Sequence, residues 1–277
     1  MSSIAVRNDL STRSDTTGDP PRWLLYALAG AFMVALGALF LAPGGTVLDR
    51  LRALMGGICA QLPTHTFSPG GQRLPLCSRN TGIYLGFSLT TITQFVRGRW
   101  RAARLPSGWV AAALLAGVAI MGVDGFNSVF VDLHLPHLYQ PNNYLRLATG
   151  TLTGTAMAAF LLPVANGILW RKSDGRTLYP SLQKLVWMVP VLFGAWLAVT
   201  LNWGLLLYPI ALLSSAGVIV ALTLINLTFV LAISGKVERY QRLIQAVPVF
   251  ALAMTLAVSE LFGLFLLNQA LLHTIGA

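Results

Sequence analysis

The sequence PIALLSSAGVIVALTLINLTFVLAI, residues 209–233, decides the fold class of this chain. It contains no charged residue, and apolar side chains cover the whole circumference of a helix built from it. A helix of a soluble protein needs only one apolar stripe, whereas a stretch of about 20 mostly apolar residues matches the hydrocarbon thickness of a bilayer. The pattern therefore predicts a transmembrane helix.

Stretches of the same kind recur along the 277 residues, of which 55% are hydrophobic and 10% charged, with a mean hydropathy of +0.68. A membrane barrel would instead show alternation of period two in segments of about ten residues. We therefore predict an all-α, polytopic membrane protein surrounded by the lipid bilayer. Seven transmembrane helices are predicted, roughly over residues 23–43, 80–97, 107–126, 145–169, 185–206, 209–233 and 246–271.

The helices leave room for only one folded domain. We expect residues 23–277 to form a single transmembrane bundle, because most of that length lies within the bilayer. Residues 1–22 are polar and lack the apolar region of a signal peptide, so they are predicted to be a disordered cytoplasmic tail. Little more than Tyr208-Pro209 separates the fifth and sixth helices, which predicts a tight helical hairpin.

The positive charges predict the orientation in the membrane. With a cytoplasmic N-terminus, the tail and the loops 97–104, 170–184 and 235–242 hold 14 of the 19 basic residues on the inner side. Short loops rich in Arg and Lys stay in the cytoplasm, so we predict an N-in, C-out, multi-pass protein of the inner (plasma) membrane. This topological role accounts for the formal charge of +10, and no nucleic-acid partner is expected.

Residues 46–58 (TVLDRLRALMGGI) differ from the spans because their pattern is amphipathic. Thr46 and Asp49 have the spacing of a capping box, and Gly56-Gly57 provides a stop signal. Apolar residues share one face and charged residues the other. The pattern predicts a short helix that lies in the outer interface above the bundle.

The segment Cys59–Gly86 (CAQLPTHTFSPGGQRLPLCSRNTGIYLG) concentrates reactive and ligand-type side chains. In the predicted topology both cysteines and all four histidines (His65, His134, His137 and His273) lie on the extracytoplasmic side. Three interpretations of the cysteines stay open. Cys59 and Cys77 form a disulfide, or bind zinc or copper together with His65, or remain free or redox-cycling thiols.

A resemblance to a known family rests on two motifs of this segment, Cys59-x-Gln61-x-Pro63-x-His65-Thr66-Phe67 and Cys77-Ser78-Arg79-Asn80-Thr81-Gly82-Ile83-Tyr84-Leu85-Gly86. The order resembles predicted bacterial membrane proteins grouped as domain of unknown function 2085. Their pattern reads Cys-His-Gln, then Arg-Ser-Phe, then Cys-x-Arg-Cys-Thr-Gly-Ile-Tyr-x-Gly. The similarity extends over about residues 55–160, through Asp124-Gly125, Asn143, Leu145-Arg146 and Thr149-Gly150. It implies a membrane protein and no particular activity.

The departures from that pattern affect the metal interpretation. The histidine that follows the first cysteine in the family is Ala60 here, and the second cysteine of its Cys-x-x-Cys is Asn80. If the family pattern provides three cysteines and one histidine to a metal, this chain has lost two of the four ligands, and His65 replaces one at most. The comparison therefore favours the disulfide over the metal site.

Charged residues near the outer ends of the spans point to a polar site. Asp124 lies near the outer end of the third span and Arg146 near the outer start of the fourth, so the two side chains are expected either to pair or to form a hydrated ligand site with Arg79. An arginine at such a place can hold a phosphate or a carboxylate through two hydrogen bonds. Gln61 and Asn143 are predicted to belong to the same site.

Glu260 is the acidic residue that needs an explanation most, because it lies in the middle of the last span with no basic residue in its own helix. Its insertion cost requires a hydrogen-bonding partner, a cavity or a protonated carboxyl. Asn202 is a candidate neighbour. Glu260 is interpreted either as a proton- or ion-coupling group or as a neutral acid that holds helices together.

Two further motifs concern packing and loop chemistry. The pairs Gly82–Gly86 and Gly150–Gly154 have GxxxG spacing and predict that the second and fourth spans pack closely. Asp132, His134 and His137 form a weak metal motif in an outer loop, because Pro136 interrupts any helix there.

The favoured hypothesis is an extracytoplasmic pocket that binds a small ligand, either a metal ion or an anionic or quinone headgroup. Two alternatives stay open: a proton-coupled carrier that uses Glu260 and Asp124, and a non-catalytic accessory subunit of a larger membrane complex.

The chain has no phosphate-binding glycine-rich loop, no His-Glu-x-x-His motif and no nucleophile elbow, so it indicates no enzyme class. It predicts no cofactor beyond the possible metal ion, and no particular oligomeric state. The pocket residues are Cys59, Gln61, His65, Cys77, Arg79, Asp124 and Arg146.

Overall fold

A computed structural model describes residues 44–275 and the isolated glycines Gly30 and Gly37, with side chains as far as Leu271. The predicted tail (1–22) and first span (23–43) lie outside the described residues. The helices, in chain order, are α1 (Val47–Met55), α2 (Ser78–Val96), α3 (Gly108–Asp132), α4 (Asn143–Leu169), α5 (Leu182–Val186), α6 (Val189–Thr200), α7 (Leu207–Ile233) and α8 (Leu243–Ile275). Two short strands, β1 (Ala102–Arg104) and β2 (Asp174–Thr177), join the loops at one end.

Five helical segments of the described chain are long and apolar enough to cross a membrane. They are Gly108–Asp132, Asn143–Leu169, Leu182–Thr200, Gly204–Ile233 and Leu243–Leu271. The helical membrane class is therefore confirmed, whereas the number seven is not. Helix α2 is less apolar, and it buries the polar side chains Ser88, Thr90 and Gln94 against its neighbours.

Helix α2 lies at the centre of the bundle, where its most extensive interface is with α4. A Cβ atom added to Gly82 or Gly86 would meet the backbone of α4, and one added to Gly150 or Gly154 would meet the backbone of α2. The two helices therefore approach at backbone contact, as the GxxxG spacing predicts. This contact holds the N-terminal end of α2 beside the N-terminal end of α4.

Helix α1 begins after Thr46 and stops before Gly56, at the two signals that the sequence provides. Its C-terminal end lies three residues before that of the predicted element 46–58. The Thr46 hydroxyl accepts a bond from the Asp49 amide, and the Asp49 carboxylate accepts one from the Thr46 amide, so the capping box is complete. Four apolar side chains of the inner face are buried: Leu48, Leu51, Leu54 and Met55. Gly57 lies against α8, because a Cβ atom there would be 2.7 Å from Leu264 Cβ.

The predicted hairpin between the fifth and sixth spans is placed wrongly. Helix α6 ends at Thr200, and residues 201–206 form the turn, with Asn202 in the left-handed region at φ 58°. Tyr208 and Pro209 lie inside α7, in its first turn. Proline is tolerated there because the first amides of a helix have no partner within the helix.

At the other end of the bundle, the arginine-rich loops fold into a cap that the sequence did not predict. Strand β1 pairs in parallel with β2. The Arg101 guanidinium lies over both Trp100 and Trp170, at 4.5 and 4.2 Å from the ring centres. Such short strands carry no period-two signal, since β1 has three residues and β2 has four.

Candidate functional site

The ends of several elements converge on the segment 59–77. Asn143 Nδ2 at the start of α4 donates to the Thr64 carbonyl at 2.9 Å, and the Gly70 amide donates to the Asn202 carbonyl at 3.2 Å. Phe67 packs edge to face on Tyr144, with ring centres 5.6 Å apart. The fold therefore brings the polar segment onto the ends of α3, α4 and the α6–α7 turn.

Asp124 is the centre of a hydrogen-bond network and is only 1% exposed. Its carboxylate pairs with Arg79 through Nη2, at 2.7 Å from Oδ2, and not with Arg146 as one interpretation predicted. The same Arg79 nitrogen donates to the Ser128 hydroxyl at 3.0 Å. A buried carboxylate needs compensation of this kind, and the α2–α3 pair supplies it.

Two further residues complete this network, and sequence reasoning missed them. The Tyr139 hydroxyl donates to Asp124 Oδ1 at 2.8 Å, and Asn127 holds the Tyr139 loop through bonds to its backbone. Desolvation, and then the bond to Asp124, raise the pKa of Tyr139 to about 12. The spacing of Asp124, Asn127 and Ser128 puts three polar residues on one helical face of an apolar span. This spacing is the sequence signal from which a polar network around Asp124 could have been predicted.

Arg146 lies beside this network with little compensation for its charge. The residue is 6% exposed, and Nη1 makes its one hydrogen bond within residues 44–275, to Asn143 Oδ1 at 3.2 Å. No described carboxylate pairs with it, since Asp124 pairs with Arg79. Arg79 adds unused donor capacity, because its Nε is buried without a partner among the described residues. Among the described residues, Asp124 is the one buried carboxylate beside these two guanidinium groups, because Asp132 next to His65 is half exposed.

His65 faces Asp132 rather than the cysteines. Its Nε2 lies 3.8 Å from the Asp132 carboxylate. Burial, and then the charge of Arg146, lower the pKa of His65, while Asp132 acts in the opposite direction. His65 is thus a neutral neighbour of the arginines at neutral pH, which leaves their positive charge undisturbed.

Cys59 and Cys77 are free thiols in the structure, so the predicted disulfide is not confirmed. They nevertheless meet, because the Cys77 amide donates to Cys59 Sγ at 3.2 Å. Bonds from the Cys77 thiol and amide lower the pKa of Cys59 to about 6. The Cys77 thiol, which donates to Cys59, has its pKa raised by that bond and by burial.

Within residues 44–275, no three His, Cys, Asp or Glu side chains come close enough together to hold a metal ion. The predicted set of Cys59, His65 and Cys77 is therefore not assembled. Gln61, a predicted ligand residue, is used structurally, because its Nε2 donates to the carbonyls of Arg52 and Pro75, both at 2.7 Å. It fixes the loop that follows α1.

The remaining predicted residues lie apart from this cluster. Glu260 is exposed on the surface of α8 and accepts a bond from Asn226 Nδ2 of α7 at 3.1 Å, so its neighbour is Asn226 and not Asn202. His134 and His137 are exposed in the loop after α3, and the side chain of His273 lies outside the described residues. Two apolar cavities, of about 300 and 290 Å³, flank α6 away from the arginines.

The fold and this cluster define a helical integral membrane protein with a buried, arginine-rich polar centre at one end of the bundle. The sequence profile of a family described as predicted membrane protein (DUF2085) matches residues 59–160, which contain the whole cluster. The chain belongs to this family. The matched region runs from Cys59 to Phe160, through α2, α3 and most of α4.

Two relatives come from archaea, and both are described as uncharacterised proteins. The chain is 35% identical to a protein of Methanothermobacter thermautotrophicus over 104 residues, which cover 36% of this chain and 81% of the relative. It is 26% identical to a protein of Methanocaldococcus jannaschii over 153 residues, which cover 51% of this chain and 92% of the relative. No solved structure matches the chain. Proteins similar to this chain therefore occur in archaea.

Proposed function

We propose that the cluster around Arg146 binds a small anionic group, a phosphate or a carboxylate, at the outer face of the plasma membrane. The observation that carries the proposal is a guanidinium, 6% exposed, with a single hydrogen bond to a neutral amide and no carboxylate partner among residues 44–275. An uncompensated buried charge is costly, and an anion would remove that cost. Free anions and anionic lipid headgroups, including a lipid phosphate, share this chemistry.

The neighbours of Arg146 suit an anion better than a metal cation. The charge of Arg79 is matched by Asp124, so this carboxylate does not pair with Arg146. His65 is held neutral, and the Thr64 carbonyl is occupied by Asn143. The N–H donors that make no hydrogen bond among the described residues belong to the guanidinium groups of Arg79 and Arg146. Guanidinium groups bind phosphate and carboxylate through paired hydrogen bonds.

We expect inorganic phosphate to stabilise the purified protein against heat at constant ionic strength, by about 1.4 kcal/mol at ten times its Kd. Arg146→Gln should abolish this stabilisation, because it removes the unpaired charge. Arg73→Gln, which changes an exposed arginine of the same outer face, should leave it unchanged. Thermal unfolding with phosphate against chloride measures the effect.

A second measurement distinguishes a free anion from the headgroup of an anionic lipid. Native mass spectrometry with short-chain phosphatidylglycerol or phosphatidylcholine tests for a lipid headgroup, and we expect Arg146-dependent retention of one anionic lipid if the source is a lipid. Stabilisation by phosphate alone would identify a free anion. If neither probe distinguishes Arg146→Gln from the wild type, the proposal is wrong.

A second candidate function is that of a subunit in a larger membrane complex, and Glu260 favours it. The carboxyl lies in the middle of α8 on an exposed surface, and among the described residues it has one hydrogen bond, to Asn226. Acidic side chains inside a bilayer normally face a partner or a cavity, because contact with lipid costs about 2.5–3.5 kcal/mol on insertion scales. We infer that a helix of another subunit, with a polar or basic side chain, covers Glu260.

A photo-crosslinking residue at position 264, one turn from Glu260, should capture a second membrane protein in intact cells. Glu260→Leu in the same chain should abolish the crosslink, whereas Leu252→Ala, which changes an exposed residue further along α8, should not. Crosslinks to lipid alone, or to residues 23–43 of the same chain, would exclude a partner subunit.

A further inference from the structure

We propose that Cys59 and Cys77 form a redox-active pair that reduces disulfide substrates at the outer face of the membrane. The proposal is independent of anion binding, because it rests on the contact between the two cysteines and on the groups that bind Cys59 Sγ. The two residues are 18 positions apart in the sequence but meet where the segment 59–77 returns to α2.

The contact joins the Cys59 sulfur to the backbone of Cys77. Cys59 Sγ accepts from the Cys77 amide at 3.2 Å, and the Cys77 thiol and the Asn80 side chain lie near enough to lower the pKa of Cys59. Cys77 directly precedes the first residue of α2, a helix of 19 residues, so its amide belongs to the positive end of the helix. Donors of this kind stabilise a thiolate on Cys59.

The surroundings confine the chemistry to one side. Apolar side chains bury Cys59 to 8% exposure, and Leu54, Leu76 and Leu261 belong to the same cluster. Cys77 is more exposed, and residues 60 and 62–64 next to Cys59 are exposed on the outer surface. The proposal requires a small disulfide to approach from this exposed side, because apolar side chains close the other side of Cys59.

Two exchange steps account for all atoms and electrons. The Cys59 thiolate attacks one sulfur of the substrate disulfide, which forms a Cys59–substrate mixed disulfide and releases the other sulfur as a thiolate. Cys77 then attacks Cys59 Sγ, which releases the second substrate thiol and leaves a Cys59–Cys77 disulfide. The Cys77 proton passes to a departing thiolate. The protein loses two electrons, and the substrate gains two.

The test uses the reduced full-length protein in detergent and bis(2-hydroxyethyl) disulfide, a neutral probe that does not depend on the arginines. Intact mass after alkylation should show that the wild type loses both thiols without a permanent adduct. Cys77→Ser should stop at one mixed disulfide on Cys59. The rate of reaction of Cys59→Ser should be lower than that of the wild type by a factor of about ten or more. Arg73→Gln, which changes an exposed arginine outside both sites, should react like the wild type. Because the probe is neutral, failure of the anion proposal remains distinguishable.

A measurement on the wild type alone guards against variants that do not fold. The rate of alkylation of Cys59 by iodoacetamide, followed by peptide mass spectrometry, should rise through a midpoint near pH 6, the pKa of Cys59. An unperturbed thiol would give a midpoint near about 8.5. The proposal is overturned by a midpoint at the ordinary value, by two mixed disulfides on the wild type, or by thiols that stay reduced in excess probe.

Discussion

Replacing Asp124 with leucine is expected to destabilise the bundle by about 3–5 kcal/mol, because the substitution leaves the Arg79 guanidinium without a counter-charge. The carboxylate also accepts from the Tyr139 hydroxyl at 2.8 Å, so the loop after α3 loses an anchor at the same time. Unfolding in mixed micelles of sodium dodecyl sulfate and dodecyl maltoside measures the difference in free energy.

The double variant Arg79→Met, Asp124→Leu separates the charge pair from the packing around it. Apolar residues in place of a buried pair are often tolerated, so the double variant should be more stable than Asp124→Leu alone. With Arg79→Met measured as well, the deviation of the double variant from the sum of the two single changes is the coupling between the side chains, which contact one another at 2.7 Å. An additive cycle would show that the ion pair does not stabilise the fold.

Asp132 supplies a matched control for the aspartate substitution. It also has a basic neighbour, His65, but the two atoms are 3.8 Å apart and the Asp132 side chain is 50% exposed. Exposed pairs contribute about 0–1 kcal/mol, so Asp132→Leu should have little effect on unfolding. Equal effects of the two substitutions would contradict the central role assigned to Asp124.

Much of the architecture could be predicted because it depends on local patterns. Apolar stretches long enough to span a bilayer identify α3, α4, α7 and α8, and the capping box of Thr46 and Asp49 identifies α1. The GxxxG spacing in α2 and in α4 is also a local pattern, and it predicted the close contact between the two helices. In each case the signal lies within one segment, or in two segments with the same motif.

The composition of the site could be predicted, but not its pairing. The sequence places Arg79, Asp124 and Arg146 near one membrane level, yet one carboxylate and two guanidinium groups allow more than one pair. Distances between helix faces decide the choice, and Asp124 pairs with the arginine 45 positions away rather than with the nearer Arg146. Tyr139 was missed because its role depends on how a loop returns to α3.

The site is built on the contact between α2 and α4, which connects the packing of the bundle to the chemistry at one of its ends. Arg79 and Cys77 lie in and just before the first turn of α2, while Asn143 and Arg146 lie in the first turn of α4. The backbone of Arg79 lies against Gly150. Any change that separates these helices should therefore disturb the arginines and the cysteines together.

Gly154→Val is expected to destabilise the protein by about 3 kcal/mol, because backbone atoms of α2 occupy the space that its side chain needs. A Cβ atom at this position would lie 2.7 Å from the Phe87 nitrogen and would also contact the Ile83 carbonyl. Neither atom can move without a shift of the whole helix. The same unfolding measurement should show the loss, together with slower disulfide exchange at Cys59.

Gly122→Val is the control, since it makes the same substitution in the transmembrane helix α3. No atom of the described residues lies within 4 Å of a Cβ atom built at Gly122, so the side chain has room there. Valine there should leave stability and exchange close to those of the wild type, because added apolar surface is compatible with lipid. If Gly154→Val also behaves like the wild type, α2 and α4 do not form the close contact on which the site depends.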